Sequence, residues 1–416
     1  MKRRTKSYLT SLFLVFVACT AKAQLMPLDT VLARIERHNP ALKVYDEKIN
    51  ALDAYSQRAT AWMAPMVGAG TFMTPYPGQK ISESRDRGFL MVSVEQSIPN
   101  PGRLNAERKY LTSKSAVESE GRAGVYNELR ADARMAYYQW IVLEKRRQLL
   151  NQNKAIVEFI LKTAQIRYPY NQAPLGAIYK AEGKLSEIEN ELLSVQAGIE
   201  EQKYKLMTLM NLPSATSLQP DTTLVKLSGI NITTDTLGLE EKRSDVRRIK
   251  RSIDAMHYDQ QRQRAQAKPD FRIRFDHMAP LGNGMPSQFT AMGMVSIPIA
   301  PWASKMYKAE VKGIAFDICA MQRDQEAIVN EARGRLSFLY SQIVLMQHQL
   351  DNYEAKTIPA LRKNYDALML AYSENRAQLP EVLEQWDALN AAEISWLEKR
   401  ESYYSLVVTY EKELEK

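Results

Sequence analysis

The chain has 416 residues, a quarter of them charged, and a formal net charge of +8 at neutral pH. Five basic residues lie in the first 23 residues, and without that segment the net charge falls to +3. The remaining basic residues are interleaved with acidic ones, unlike the basic stripe of a nucleic-acid-binding protein, so no nucleic-acid partner is expected. Abundant Glu, Lys, Leu and Ala with little glycine favour long helices.

The first 23 residues have the pattern of an export signal. Basic residues precede the apolar segment 9–18, and Ala21 and Ala23 match a cleavage site after Ala23. Cys19 leaves open the alternative of a lipoprotein, in which that thiol carries the lipid. The apolar segment is shorter than the roughly 20 residues of a membrane helix, and no later segment is longer. Any membrane span is therefore expected to consist of strands.

An internal repeat at a spacing of about 203 residues divides the mature chain into two halves. The sequence Asn-Glu-Leu-Arg at 127–130 recurs as Asn-Glu-Ala-Arg at 330–333. The order of elements also repeats: a helix, a pair of strands and a long helical hairpin. We predict the first repeat at residues 24–213, a connector at 214–238 and the second repeat at 239–416.

Each repeat contains a long segment with the periodicity of a coiled coil, because apolar residues recur in steps of four and three. No proline occurs between Arg103 and Tyr168, so this helix could reach about 100 Å. Pro169 and Asn171 are predicted to end it, and a second helix returns to complete a hairpin. In the second repeat, Pro359 interrupts the outer helix and the turn is predicted at 373–376. The periodic residues are Leu129, Ala133, Ala136, Trp140 and Leu143, and Ala332, Leu336, Leu339, Ile343 and Met346.

The clearest strand, at residues 271–278, alternates apolar side chains with two arginines and an aspartate. This alternation is typical of a tilted membrane strand with one face toward lipid and one toward water. Its partner completes a strand pair within 270–298, and an equivalent pair is predicted within 66–98. A soluble hairpin is the alternative for either pair alone. Two pairs at equivalent positions of a repeat favour a membrane location.

Four strands in one chain cannot form a closed membrane barrel, because open strand edges are not tolerated in lipid and the smallest bacterial barrels have eight strands. Three chains would provide a twelve-stranded β-barrel in contact with outer-membrane lipid. The same three chains would continue it as a long periplasmic α-helical barrel. The predicted fold class is therefore mainly α with membrane β, in a homotrimer.

Several motifs resemble the TolC-type outer membrane efflux family over nearly the whole mature chain. They are the Asn-Pro segment at 39–42, the strand ends at 97–99 and 296–298, and Arg-Ser-Asp-Val at 243–246, with serine where the family usually has proline. The segment at 94–104 is most similar to the CusC-like and CzcC-like heavy-metal efflux channels.

This resemblance implies an outer-membrane channel subunit of a tripartite efflux pump, a passive duct from the periplasm to the exterior. Its partners would be a periplasmic adaptor (membrane fusion) protein and an inner-membrane pump of the resistance-nodulation-division class. The cargo stays open among heavy-metal cations, amphipathic drugs and, in type I secretion, an unfolded protein. A periplasmic adaptor or coiled-coil scaffold is the alternative outside channels, although it would carry one hairpin and flanking β domains.

The resemblance also places both hairpin turns at the periplasmic entrance, where relatives meet the adaptor. Asn171 and Asn375 stand where the family often has glycine, and asparagine tolerates left-handed backbone angles. Glu374 and Glu381 are gate candidates, and solvated helix carboxylates are the alternative interpretation. The expected contact residues are Arg167, Tyr168, Asn171, Leu175, Tyr372, Glu374, Arg376 and Leu379.

No catalytic constellation is visible in the sequence, so the chain is not expected to be an enzyme. Its four histidines are far apart and lack a partner at a recognised metal-ligand or nucleophile spacing. No cofactor or metal site is predicted. Methionines near the strands, such as Met278 and Met292, could contact Cu(I) or Ag(I) through their thioethers, and strand packing or lipid contact explains them equally well.

Overall fold

Helices dominate the chain in the computed structural model, which describes residues 24–213, 218–221, 238–298, 301–374 and 376–416. The predicted signal peptide, most of the predicted connector and one turn residue, Asn375, lie outside the described residues.

The described helices and strands follow the predicted order in both repeats. The α-helices are α1 (Leu28–His38), α2 (Pro40–Gln57), α3 (Pro101–Arg167), α4 (Leu175–Leu209), α5 (Leu239–Lys242), α6 (Ser244–Ala265), α7 (Pro301–Asn352), α8 (Ile358–Ser373) and α9 (Leu379–Glu413). The strands are β1 (Gln24–Met26), β2 (Met66–Phe72), β3 (Phe89–Ile98), β4 (Leu218–Pro220), β5 (Asp270–Pro280) and β6 (Gln288–Ser296).

Helix α3 runs for 67 residues without interruption, which corresponds to about 100 Å and confirms the predicted rod. It begins with an Asn-Pro pair: the Asn100 side chain accepts a hydrogen bond from the Gly102 N–H at 2.9 Å, and Pro101 occupies the first turn. The Asn100 amide also donates to the Pro269 carbonyl at 3.1 Å. The same side chain therefore caps the helix and ties it to the segment before β5.

The equivalent outer helix of the second repeat is interrupted, as its proline predicted. After α7, a five-residue π-helical turn at Tyr353–Thr357 precedes α8, and Pro359 lies in the first turn of α8. Proline cannot donate a backbone hydrogen bond, and a single wider turn accommodates that loss within a helix. Helix α8 then ends at Ser373, where the turn was predicted.

The four longer strands form one antiparallel sheet in the order β2-β3-β5-β6, and β2 and β3 lie within the predicted range 66–98. The central pair joins one strand from each repeat, so the sheet links the two halves of the chain. The first and last strands form the two edges. A short parallel pairing of β1 with β4 was not predicted.

Helix α3 is the centre of the helical layer, because it packs against α2, α4, α6 and α9. Helix α7 packs on α6 and α9, and α8 packs on α9. Helices α2 and α4 therefore lie on one flank of the protomer, and α7 and α8 lie on the other. The residues predicted from the coiled-coil period form much of the core, and the buried ones are Ala133, Ala136, Trp140, Ala332, Leu336, Leu339 and Ile343.

Candidate pore surfaces and helical tips

One face of the four-stranded sheet is mostly apolar and open to the surroundings, with Gln96 and His277 as its polar members in β3 and β5. In the strand register, Val94 lies opposite Phe275, and Val92 lies two residues further along the same face. These side chains are solvent-exposed in the single protomer although they are aliphatic or aromatic. A contiguous apolar face of this kind marks a surface that meets lipid or another protein. Its central members are Leu90, Val92, Val94, Phe271, Ile273 and Phe275.

The opposite face of the same sheet is polar and carries ion pairs. Arg272 Nη1 lies 2.9 Å from Glu95 Oε1, and Arg274 Nε lies 2.8 Å from Asp276 Oδ1. Arg103, near the start of α3, pairs with Asp270, the first residue of β5. The alternation seen in the sequence therefore separates an apolar face from a charged one, as predicted.

Within the described residues, neither edge strand of the sheet, β2 or β6, pairs with a further strand. All seven residues of β2 are exposed, and so are seven of the nine residues of β6. An edge strand presents unsatisfied backbone N–H and C=O groups, which favours pairing with another strand. Because β2 and β6 run in opposite directions, β2 of one copy can pair antiparallel with β6 of the next.

The helical layer exposes an apolar or small-residue seam on each flank. In both seams most of the exposed residues step by four and three, the spacing of a coiled-coil contact, and the same series passes Glu201 in α4 and Asp324 and Glu331 in α7. The Cβ of a residue replacing Gly183 or Gly313 would meet no atom within 4 Å, so both seams are open in the protomer. The α4 seam consists of Tyr179, Gly183, Ser186, Asn190, Leu193, Ala197 and Tyr204. The α7 seam consists of Trp302, Met306, Ala309, Gly313, Phe316, Ala320, Phe338, Ser341 and Leu345.

No helix within the described residues is both long enough and apolar enough to cross a membrane. Nor do any three His, Cys, Asp or Glu side chains of the described residues come together in a way that could hold a metal ion.

Arg167 joins the two hairpin turns. Its guanidinium lies over the Tyr372 ring at 4.5 Å from the centroid, and it donates to the carbonyl oxygens of Tyr372 at 3.1 Å and Ser373 at 3.4 Å. Two carbonyl groups at the end of α8 are thereby satisfied by the last residue of α3. The turn that follows α3 uses Asn171 with φ of +55°, the left-handed conformation that asparagine tolerates.

The other predicted contact residues differ in how accessible they are. Tyr168 and Leu175 are exposed on the first turn, whereas Tyr372 and Leu379 are buried between the hairpins. The remaining ones, Glu374 and Arg376, are exposed on the second turn and form an ion pair at 3.4 Å. The second gate candidate, Glu381, is exposed in the first turn of α9.

Lys184, which the sequence analysis did not identify, links α4 and α9 close to the hairpin turns. Its ammonium lies 2.8 Å from a Glu187 oxygen and 3.3 Å from an Asp387 oxygen. The hydrogen bond to Glu187, with a further contribution from Asp387, raises the pKa of Lys184. The helices that carry them begin at Leu175 and Leu379, so Lys184 and Asp387 lie at similar heights above the two turns.

The motif residues near the start of the second repeat form a structural clasp. Arg243 pairs with Asp245 and with Glu413, each at 2.7 Å, and Ser244 donates its hydroxyl to Glu415 at 2.6 Å. Burial lowers the pKa of Arg243, and its hydrogen bonds to the two carboxylates outweigh that effect and raise it. The Asn39 amide similarly donates to the Leu209 carbonyl at 2.8 Å. These motifs hold helix ends together.

No protein-family model matches the sequence, and no curated protein matches it either. Three solved structures share its fold over 93% of this chain. The outer-membrane channel OprN has a TM-score of 0.73 and 16% identity, with 89% of its chain covered. The outer-membrane protein VceC from Vibrio cholerae has a TM-score of 0.72, 15% identity and 95% coverage. CusC, described with its transmembrane channel formation, has a TM-score of 0.72, 14% identity and 91% coverage. The chain therefore has the protomer fold of the TolC-type outer-membrane channels, as its sequence motifs predicted.

Proposed function

We propose that this chain is one of three identical subunits of an outer-membrane channel, a passive export duct from the periplasm to the exterior. The observation that carries the proposal is the four-stranded sheet with an exposed apolar face and two unpaired edges. Such a sheet is stable in lipid only when its edges are paired, and pairing β6 of each copy with β2 of the next closes a ring. Three copies make a twelve-stranded barrel, above the eight-strand minimum.

The helical seams support the same ring. The α4 seam and the α7 seam lie on opposite flanks of the protomer, so one seam of each copy faces the other seam of its neighbour. This is a heterologous contact, which generates a closed ring when the rotation between copies closes. The small residues of both seams would let the helix backbones approach closely.

A cysteine cross-linking experiment tests this assembly. The ion pairs Lys184–Asp387 at 3.3 Å and Arg335–Glu413 at 3.1 Å fix the heights of α4 and α7 relative to α9. Counting along the helices from these pairs places Tyr204 level with about residue 341 of the α7 seam. Three variants are therefore made in a protein lacking Cys319. Each carries Tyr204→Cys together with one second cysteine, at Phe338, Ser341 or Leu345.

We expect at least one of these pairs to give covalent dimers and trimers in outer membranes, with no ladder above the trimer. Tyr204→Cys paired with Gln347→Cys is the matched control, because Gln347 is exposed but lies about 160° around the helix from Leu345. A protein that remains uncross-linked and monomeric in the soluble periplasmic fraction would refute the proposal.

We further propose that the hairpin turns form the periplasmic entrance and meet a periplasmic adaptor protein, which couples the duct to an inner-membrane pump of the resistance-nodulation-division class. Tyr168, Leu175, Glu374 and Arg376 are exposed there and would supply the contact. Photo-cross-linking from position 168 should capture a periplasmic protein that is not captured from Tyr55, an exposed tyrosine on α2. Identical products from both positions would argue against an adaptor at the turns.

Heavy-metal cations are the cargo class that we propose. The segment 94–104 motivates this choice, and the polar face of the sheet places Met91 directly opposite Met278 in the strand register. Thioethers are ligands for soft cations such as Cu(I) and Ag(I). A strain lacking this chain should become more sensitive to copper or silver salts than to dyes and detergents. Greater sensitivity to dyes and detergents would favour amphipathic drugs instead.

A further inference from the structure

The polar face of the sheet has a balanced set of charges. In the strand register, the described residues that share this face include five charged ones: Glu95, Asp270, Arg272, Arg274 and Asp276. Arg103 supplies the sixth charge through its pair with Asp270. Three positive and three negative groups are therefore present, and each of them has a partner of opposite sign.

The two central carboxylates are largely shielded from solvent, whereas the arginines that pair with them are more exposed. The Glu95 side chain is 14% exposed and the Asp276 side chain 8%, whereas Arg272 remains 51% exposed. Glu95 also lies directly opposite Arg274 across the strand pair. Each arginine is therefore more exposed than the carboxylate with which it pairs.

We infer that Arg272 and Arg274 determine the charge selectivity of the outer part of the pore by neutralising Glu95 and Asp276. The inference rests on the proposed function, because it needs this face to line a water-filled passage. Rings of unpaired carboxylates make pores selective for cations. Removing both arginines would leave two uncompensated carboxylates per subunit, and six in a ring of three.

The test measures the local potential in front of the sheet and does not depend on the state of the periplasmic entrance. Ser93 lies opposite Asp276 in the register, so Ser93→Cys in a chain lacking Cys319 places a thiol on the polar face. Intact cells are treated with two methanethiosulfonate reagents, a trimethylammonium cation and a sulfonate anion. The modification rate with the cation is divided by the rate with the anion, and this ratio is then divided by the same ratio for a small free thiol. The corrected ratio reports the sign of the local potential.

With the arginines present, we expect a corrected ratio within about threefold of one. Proteins produce potentials of several kT, and a change of only about 1 kT per unit charge alters the ratio about sevenfold because the reagents differ by two charges. Arg272→Gln with Arg274→Gln should therefore raise the ratio at least about sevenfold. Adding Glu95→Gln and Asp276→Asn should return it to the starting value, which a purely structural effect of the arginines would not do.

Two controls separate the possible failures. Val94→Cys, the next residue on the apolar face, should resist both reagents, and Tyr76→Cys, in the exposed loop after β2, should react with both. A Ser93→Cys ratio that stays unchanged without the arginines overturns the inference while leaving the channel intact. If Tyr76→Cys reacts and Ser93→Cys reacts with neither reagent, the polar face is not open to water, and the proposed channel itself is wrong.

Discussion

Removing the Arg167 side chain should loosen the contact between the two hairpin turns by a measurable amount. Its guanidinium donates at 3.1 and 3.4 Å to two carbonyl groups of the other hairpin and stacks on Tyr372. One well-formed hydrogen bond from a charged donor contributes about 1.5 kcal/mol, and a partly exposed cation–π contact contributes about 0.5 kcal/mol. Arg167→Ala should therefore cost about 2 kcal/mol locally.

Amide hydrogen exchange at the end of α8 measures this cost. The Glu374 N–H bonds to the Leu370 carbonyl at 3.1 Å, and the Arg376 N–H bonds to the Ala371 carbonyl at 2.8 Å. Where exchange requires local opening, its rate follows the opening free energy. A loss of about 2 kcal/mol should accelerate exchange of these amides about thirtyfold, since each 1.4 kcal/mol is tenfold.

Two further variants make the result specific to Arg167. Arg167→Lys keeps the positive charge but loses the two-pronged donor, so its exchange rates should be intermediate. Arg376→Ala removes another arginine from the same region, one whose ion pair is with Glu374 of its own turn, and should change the rates less than threefold. Exchange in Arg167→Ala within threefold of the unmodified protein would refute the reasoning.

Two other predictions concern the entrance and the buried face of α3. Glu374→Gln with Glu381→Gln should lower the cation preference of the channel in planar bilayers if these carboxylates gate the entrance, and an unchanged reversal potential would assign them to solvated helix surface. Burial raises the pKa of Tyr138 to about 12, with a smaller contribution from Glu411. The contribution of the neutral phenol to the free energy of unfolding is therefore fully present below pH 10 and is lost between pH 10 and 12. This contribution is about 2 to 3 kcal/mol. Melting temperatures should fall over that range, and less steeply in Tyr138→Phe.

The helical part of the fold could be predicted from the sequence because its signals are local and repeated. The coiled-coil period from Leu129 onward marks the buried face of α3, and Pro169 with Asn171 marks where the rod ends. The strand pairs were predictable for the same reason, since alternation around Phe271 to Asp276 extends over more than one residue pair. In each case several neighbouring residues indicate the same helix or strand.

Contacts between distant segments could not be predicted in this way. The alternation gives each strand its two faces, but nothing in it places β3 beside β5 and joins the two repeats. Strands as short as β1 and β4 have too few residues for any periodicity. The Arg243 motif was recognisable, whereas its partner Glu413 lies 170 residues away among many other glutamates. Among the candidate site residues, the turn positions were predictable, and their burial was not.

The two hairpins are copies of one repeat but differ in structure. This difference determines which helix should open when the Arg167 contact is broken. Helix α3 is continuous and packs extensively on α2, α4, α6 and α9, so the turn that follows it has a firm support. The outer helix of the second hairpin contains the π-helical turn before Pro359, and α8 packs mainly on α9. Breaking the contact should therefore release α8 rather than α3. The increase in exchange in Arg167→Ala should appear in residues 366–376 and be absent from the last turns of α3, although both sides of the contact lose the same bonds.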